Sequence, residues 1–165
     1  MKNETLSRDT FRQAMAKLPA SVNVITTDGA AGRWGMTASA VCSVSDQPPS
    51  LLVCINQATR LYELAMKNRV LAVNVLKNDQ KEISALFAGG DVALRFATGN
   101  WQSLRTGAPL LLDALVSFDC RVSQVVPSGT HGIFIAEVVA AHVADAGGGL
   151  VYFDRAYRPL DERAA

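Results

Sequence analysis

Apolar and polar positions change period several times along the chain, and each change marks an element. Ser7 to Leu18 keeps the helical period: Phe11, Met15 and Leu18 share a face, Ser7 stands at the cap, and Pro19 ends the run. Ser21 to Thr27 alternates and is β-branched, which predicts a strand. Asp28-Gly29 with Ala30-Ala31-Gly32 reads as a hairpin loop into a strand that starts at Gly35. From Gly35 to Asn56 run two extended segments of small, hydroxylated and apolar residues, reversed at Pro48-Pro49. Thr59 caps a predicted helix through Met66 with Leu61, Leu64 and Ala65 apolar, and Val70 to Leu76 is a short strand. Asp79 to Phe87 reads as a helix capped by Asp79, with Glu82 three residues on, Ile83, Leu86 and Phe87 inward, and Gly89-Gly90 as its stop.

Ala88 to Pro109 carries Arg95-Phe96, Trp101 and several glycines, and its length favours a functional loop over a plain connector. Leu115 to Val126 alternates, with Val116, Phe118, Cys120 and Val122 on one face and Ser117, Asp119, Arg121 and Ser123 on the other. Pro127 to Thr130 is a turn, His131 to Val143 a strand, and Gly147-Gly148-Gly149 a turn before a final strand, Leu150 to Phe153. At least six strands, often adjacent in sequence, and three helices predict a mainly β fold: an antiparallel β-barrel with helices packed outside it.

The length of 165 residues predicts one domain, 1–165, able to bury about two-thirds of its unfolded surface. Sixteen Lys and Arg against fifteen Asp and Glu give no electrostatic case for nucleic acid or an anionic membrane. Met1 to Thr5 is polar and unlike a signal peptide, and no uncharged apolar run reaches the roughly 18 residues of a membrane span, so a soluble, cytoplasmic protein is expected. Cys42, Cys54 and Cys120 sit in apolar runs without a CxxC pair and are expected to be buried, reduced thiols.

Several chemistries lack their residues. Gly29, Gly32 and Gly35 are three apart in a turn, not a dinucleotide fingerprint at a helix start, and no phosphate-binding P-loop or G-x-S-x-G elbow occurs. His131 and His142 are the only histidines and form no H-E-x-x-H, so no metal site is expected. Catalysis, if present, points to a bound organic cofactor, with no obligatory catalytic side chain. Small residues from Gly35 onward would let such a ligand lie close to the backbone.

Separate motifs in order carry a resemblance: Phe11-Arg12-Gln13-Ala14-Met15, Val22 to Thr27, Gly35 to Ser45, Pro48-Pro49-Ser50-Leu51, Cys54-Ile55-Asn56, Phe87-Ala88-Gly89, Gly129-Thr130-His131 and Tyr152 to Leu160. The chain resembles the short flavin reductases that supply reduced flavin to two-component aromatic monooxygenases acting on 4-hydroxyphenylacetate, phenol or chlorophenol. The resemblance implies an FMN-binding split barrel, a homodimer with flavin near the subunit interface, and FAD or FMN with NADH as cofactors. It implies that Met36, Thr37, Ala38 and Ser39 line the flavin ring, that Ser43 and Val44 continue that wall, and that Cys54, Ile55, Asn56 and Thr59 hold the ribityl chain and phosphate. Phe87, Arg95 and Phe96 complete the flavin side, while His131, Tyr152, Tyr157 and Arg158 face the nicotinamide. Arg33 and Trp34, at the approach to the Gly35 strand, fall where relatives vary and bear on flavin preference.

Plainer readings stand beside these: outward polar positions for Thr37, Ser39 and Ser43, an ordinary cap for Thr59, an exposed surface residue for Arg95, and packing for the tyrosines. The implied reaction is hydride transfer from nicotinamide C4 to flavin N5, then release of reduced flavin. Reduction of another acceptor, such as ferric iron or a cobalt corrinoid, and flavin binding without turnover are the alternatives.

Overall fold

The computed structural model describes residues 6–161, so the expectation for Met1 to Thr5 lies outside the described residues. The helices are α1 (Arg8–Met15), α2 (Arg60–Asn68) and α3 (Lys81–Ala88), with a 3₁₀ turn at Val92–Leu94. The strands are β1 (Ala20–Ser21), β2 (Asn23–Thr27), β3 (Trp34–Ala38), β4 (Val41–Asp46), β5 (Pro49–Asn56) and β6 (Val70–Val75). Then follow β7 (Trp101–Gln102), β8 (Leu110–Leu111), β9 (Val116–Ser128), β10 (His131–Val143), β11 (Leu150–Phe153) and β12 (Ala156–Pro159).

Seven strands form one antiparallel sheet in the order β3-β2-β6-β9-β10-β5-β4. Its two outer strands, β3 and β4, are separated in sequence only by Ser39 and Ala40. In a flat sheet their edges would lie about 29 Å apart, six steps of about 4.8 Å. A two-residue link spans only about 10 Å. The sheet therefore rolls until its edges meet at that corner, where the Cys54 N–H donates to the Ala40 carbonyl (3.0 Å). This is the expected antiparallel barrel, split at one seam. Ile25, Val53, Ile55, Leu71, Val73 and Phe134 fill its interior. A second cluster, with Val24, Leu76, Ile83, Phe87, Leu111 and Leu150, lies between the barrel wall and α3.

Burial on both sides explains β2, whose five residues are all buried. Its polar members are each bonded: Asn23 Nδ2 donates to the Ala38 carbonyl, Thr26 Oγ1 to Pro109 and Thr27 Oγ1 to Val70. Half of the β9 face expected to be outward is likewise covered: Ser117 and Asp119 are fully buried, whereas Arg121 and Ser123 are exposed as expected. Ser117 Oγ donates to the Leu111 carbonyl, and the Asp119 carboxylate accepts the N–H groups of Arg105 (2.7 Å) and Thr106 (3.0 Å) and the Thr106 hydroxyl. Alternation alone could not reveal this, because the cover comes from a segment with no periodic pattern.

Other expectations need correction. The run from Gly35 to Ser45 is two strands, broken at Ser39-Ala40 because the barrel turns its corner there. Asp79 is not the cap of α3; the helix starts one residue later, behind Gln80, whose amide is used by Lys77 N and the Asp113 carbonyl. Ser7 does cap α1, but none of that helix's residues is buried, and Phe11, Met15 and Leu18 are 53%, 46% and 58% exposed. Leu150–Phe153 is not the last strand, since β12 pairs with it and both join β1 in a three-stranded sheet. The cysteines are all free, yet Cys42 is exposed because β4 is an outer strand, while Cys120 is buried.

Candidate functional site

Gly35, the second residue of β3, stands where a side chain does not fit: an added Cβ would lie 2.5 Å from the Phe87 ring. That close approach seats α3 against β3. Two polar links reinforce it. Thr37 Oγ1 donates to the Ser84 carbonyl of α3 (2.6 Å), and the Arg95 guanidinium donates to the Gly35 carbonyl (3.1 Å) and to that of Leu86 (3.0 Å). Carbonyls alternate along a strand. Since Gly35 O points out to Arg95 and Ala38 O back to Asn23 on β2, the Thr37 carbonyl faces the open edge.

A concavity of about 370 Å³ opens beside that edge, lined by Val22, Met36, Thr37, Ala38, Ser39, Ala88, Tyr152 and Tyr157. Its opposite wall is the C-terminal hairpin, β11 with β12, where Tyr152 and Tyr157 meet edge-on at 5.5 Å. The size falls in the ordinary range for small-molecule sites. A flat heteroaromatic ring fits the cradle: the side chains from Thr37 to Ser39 are small, main-chain groups are at hand, and aromatic rings stand opposite. Among the described residues, no carboxylate, histidine, lysine or cysteine lines it.

The expected flavin residues divide. Met36, Thr37, Ala38 and Ser39 come together in this concavity. Ser43 lies in a separate apolar groove with Val41, Leu51, Phe118 and Val138, and Val44 is exposed, so neither continues the wall. The corner at Ser39-Ala40 sends them elsewhere. Cys54 adjoins the corner through its bond to Ala40, whereas the Ile55 side chain is buried in the core. Asn56 Oδ1 accepts the Ala58 N–H, and Thr59 caps α2 by accepting the Tyr62 N–H (3.3 Å). These residues form the N-terminal end of α2, where free N–H groups and the helix dipole favour an anion.

Arg95 is neither an exposed residue nor one that reaches outward to a phosphate. It is 7% exposed, committed to two carbonyls, and stacked 4.9 Å from the Trp34 ring. Burial lowers its pKa from the usual guanidinium range. Trp34 carries Arg60 as well, at 4.8 Å. Phe87 is core, and Phe96 packs edge-on against Phe87 and Trp101, so both support the site from behind rather than line it.

The nicotinamide set divides too. Tyr152 and Tyr157 line the concavity, but His131 is exposed at the far end of β10, opposite Asn56, with Nδ1 2.9 Å from the Thr130 hydroxyl. Arg158 is exposed on β12 across from Val151. His142 is half-buried on β10, level with Ser117 of β9. Val22, Ala88 and Ser84 belong to the site region without being marked as site residues: Val22 and Ala88 fall inside motifs of the resemblance, and Ser84 reads as an ordinary packing position. Among the described residues, no helix is long and apolar enough to cross a membrane, and no cluster of three metal-ligating side chains occurs.

Residues 15–161 match the flavin reductase like domain. The FMN reductase (NADH) RutF of Pantoea ananatis is 47% identical over 165 residues, covering 99% of this chain and 87% of that one. A flavin reductase candidate from Haemophilus somnus 129PT superposes with a TM-score of 0.89 at 45% identity, covering 93% of this chain and 99% of the other. BorF, the flavin reductase component of a bacterial two-component tryptophan halogenase, gives 0.86 at 29% identity over 95% of this chain and all of its own. With its split barrel, and a family match that spans nearly its whole length, the chain belongs to the flavin reductase family.

Proposed function

We propose that this chain is an NADH-dependent flavin reductase acting as a single domain in the cytoplasm. Hydride passes from the nicotinamide of NADH to FAD or FMN, and reduced flavin leaves for a separate flavin-dependent oxygenase. The observation that carries this reading is a cleft between a strand edge and two tyrosines, with no histidine, cysteine or carboxylate lining it among the described residues. Hydride transfer between two bound rings requires alignment at roughly 3–3.5 Å and no protein acid or base. The names of the relatives above agree with flavin and NADH. Small walls and an open mouth suit a flavin that comes and goes: a micromolar dissociation constant is about −8 kcal/mol, within reach of ring burial plus a few phosphate contacts.

In this reading the ring lies on Met36 to Ser39, and the ribityl and phosphate tail follows Cys54 and Asn56 to Thr59. The absence of a basic cluster for a 2′-phosphate favours NADH over NADPH. A homodimer is supported by β4, whose open edge and neighbouring apolar groove leave Val41, Leu51, Phe118 and Val138 for a second copy. His131 and Arg158, apart from the cleft within one chain, would serve it from across that interface. A phenol-type monooxygenase is one member of the acceptor class; the pairing of BorF with a tryptophan halogenase widens it.

The test is direct. The purified protein is mixed with NADH and either FAD or FMN, and absorbance of the reduced nicotinamide is followed. Flavin-dependent loss is the expected result. A yellow protein without loss would make the chain a flavin-binding protein, and indifference to flavin would end the reading.

A further inference from the structure

The walls of the cleft belong to different sheets. Thr37 stands on β3 of the rolled sheet, and Tyr157 on β12 of the small C-terminal sheet. One residue of α3 is bonded to both. Ser84 receives the Thr37 hydroxyl on its carbonyl (2.6 Å), and its own hydroxyl lies 2.8 Å from that of Tyr157. Ser84 is fully buried, so water does not compete for either bond. Among the described residues, this is the one hydrogen bond made by the Tyr157 side chain, which in turn supports Tyr152 edge-on at 5.5 Å. Asp79, Lys81 and Glu82, near the start of α3, are not part of this chain of bonds.

We propose that Ser84 is a positioning residue that sets the spacing between the two walls and so holds Tyr157 where the nicotinamide ring must stack. Two flat rings in hydride-transfer register occupy a slot of about 7 Å, twice the roughly 3.5 Å stacking distance, and an error near 1 Å costs much of the advantage of alignment. The carbonyl half of the link fixes the flavin-facing strand, and the hydroxyl half fixes the opposing tyrosine. Losing the hydroxyl leaves the β3 side intact and frees only the far wall. The inference rests on the reductase reading and adds to it a residue that no motif marks.

A double-mutant cycle of Ser84→Ala and Tyr157→Phe tests it. The readouts are KM for NADH at saturating flavin, the dissociation constant of NAD⁺ by calorimetry, and that of flavin by fluorescence quenching. Each single variant is expected to raise both nicotinamide constants about 3- to 10-fold, the size of one lost hydrogen bond. The double variant should match the larger single effect, with flavin affinity within about twofold of wild type. Multiplying effects in the double variant, or an equal loss of flavin binding, would overturn the proposal. If Ser84→Ala does not fold, Tyr157→Phe alone decides: a change below about threefold in the nicotinamide constants overturns it. Wild-type protein that consumes no NADH with flavin counts against the reductase reading itself. Consumption together with independent variants counts against Ser84 alone.

Discussion

β3 and β4 come from one stretch of similar small residues and are both outer strands of the same sheet, yet they have become opposite kinds of surface. β3 is clamped from behind: Phe87 fills the space that Gly35 leaves, Arg95 holds the Gly35 carbonyl, and Thr37 is tied to α3. β4 is paired with β5 on one side, and five of its six residues are exposed. An outer strand held rigid on one side presents a fixed row of donors and acceptors, which suits a small ring. An outer strand without such backing is a surface for another chain to pair with or cover.

The two strands should differ most at Gly35. Gly35→Val forces two methyl groups toward the Phe87 ring and should cost about 3 kcal/mol in urea unfolding. The matched change on the other strand, Ser43→Val, should stay within about 0.5 kcal/mol. Equal costs would mean that the clamp on β3 has no energetic meaning. Arg95→Met comes next. It leaves the Gly35 and Leu86 carbonyls without their donor, a loss of about 2 kcal/mol, and should weaken flavin binding, measured by fluorescence quenching. Lower stability with unchanged flavin affinity would separate the clamp from the ring site.

Cysteines sharpen the contrast at smaller scale. Cys42 on β4 should react with a thiol reagent in the native protein, while Cys120 waits for unfolding. Burial, with the Asp119 charge adding to it, pushes the Cys120 thiol up to about 12 from its ordinary 9.0. The folded state therefore keeps a proton that the unfolded chain releases. This contribution is fully present below pH 9 and is lost as pH rises from about 9 toward 12. At pH 10 the loss is about 1.4 kcal/mol, one unit above the ordinary value. Cys120→Ala should remove that part of the alkaline slope when urea midpoints of the two proteins are compared. Parallel slopes would refute it.

What the sequence made legible follows from local physics. Thr59 caps α2, β10 runs from His131 to Val143 as its pattern predicts, and Asp28 to Gly32 turns β2 into β3, because cap, period and turn chemistry act over a few residues. The misses are long-range. Asp119 and Ser117 look solvent-facing until an aperiodic segment lies over them, and Arg95 looks like a surface cation until Trp34 and two carbonyls enclose it. The break at Ser39-Ala40 is forced by barrel closure, which no window of the sequence contains. At the candidate site, motif resemblance marks Met36 to Ser39 and the two tyrosines, which the fold gathers in one concavity, whereas Ser84 lies on α3 outside every motif.

The carboxylate of Asp119 has a dynamic consequence. Its two backbone donors, the amides of Arg105 and Thr106, sit in a stretch without regular secondary structure, where fast hydrogen exchange is the usual rule. Bonded to a sealed anion, they should exchange as slowly as amides in the middle of β9. The irregular crossing from α3 to β9 then moves with the barrel as one body.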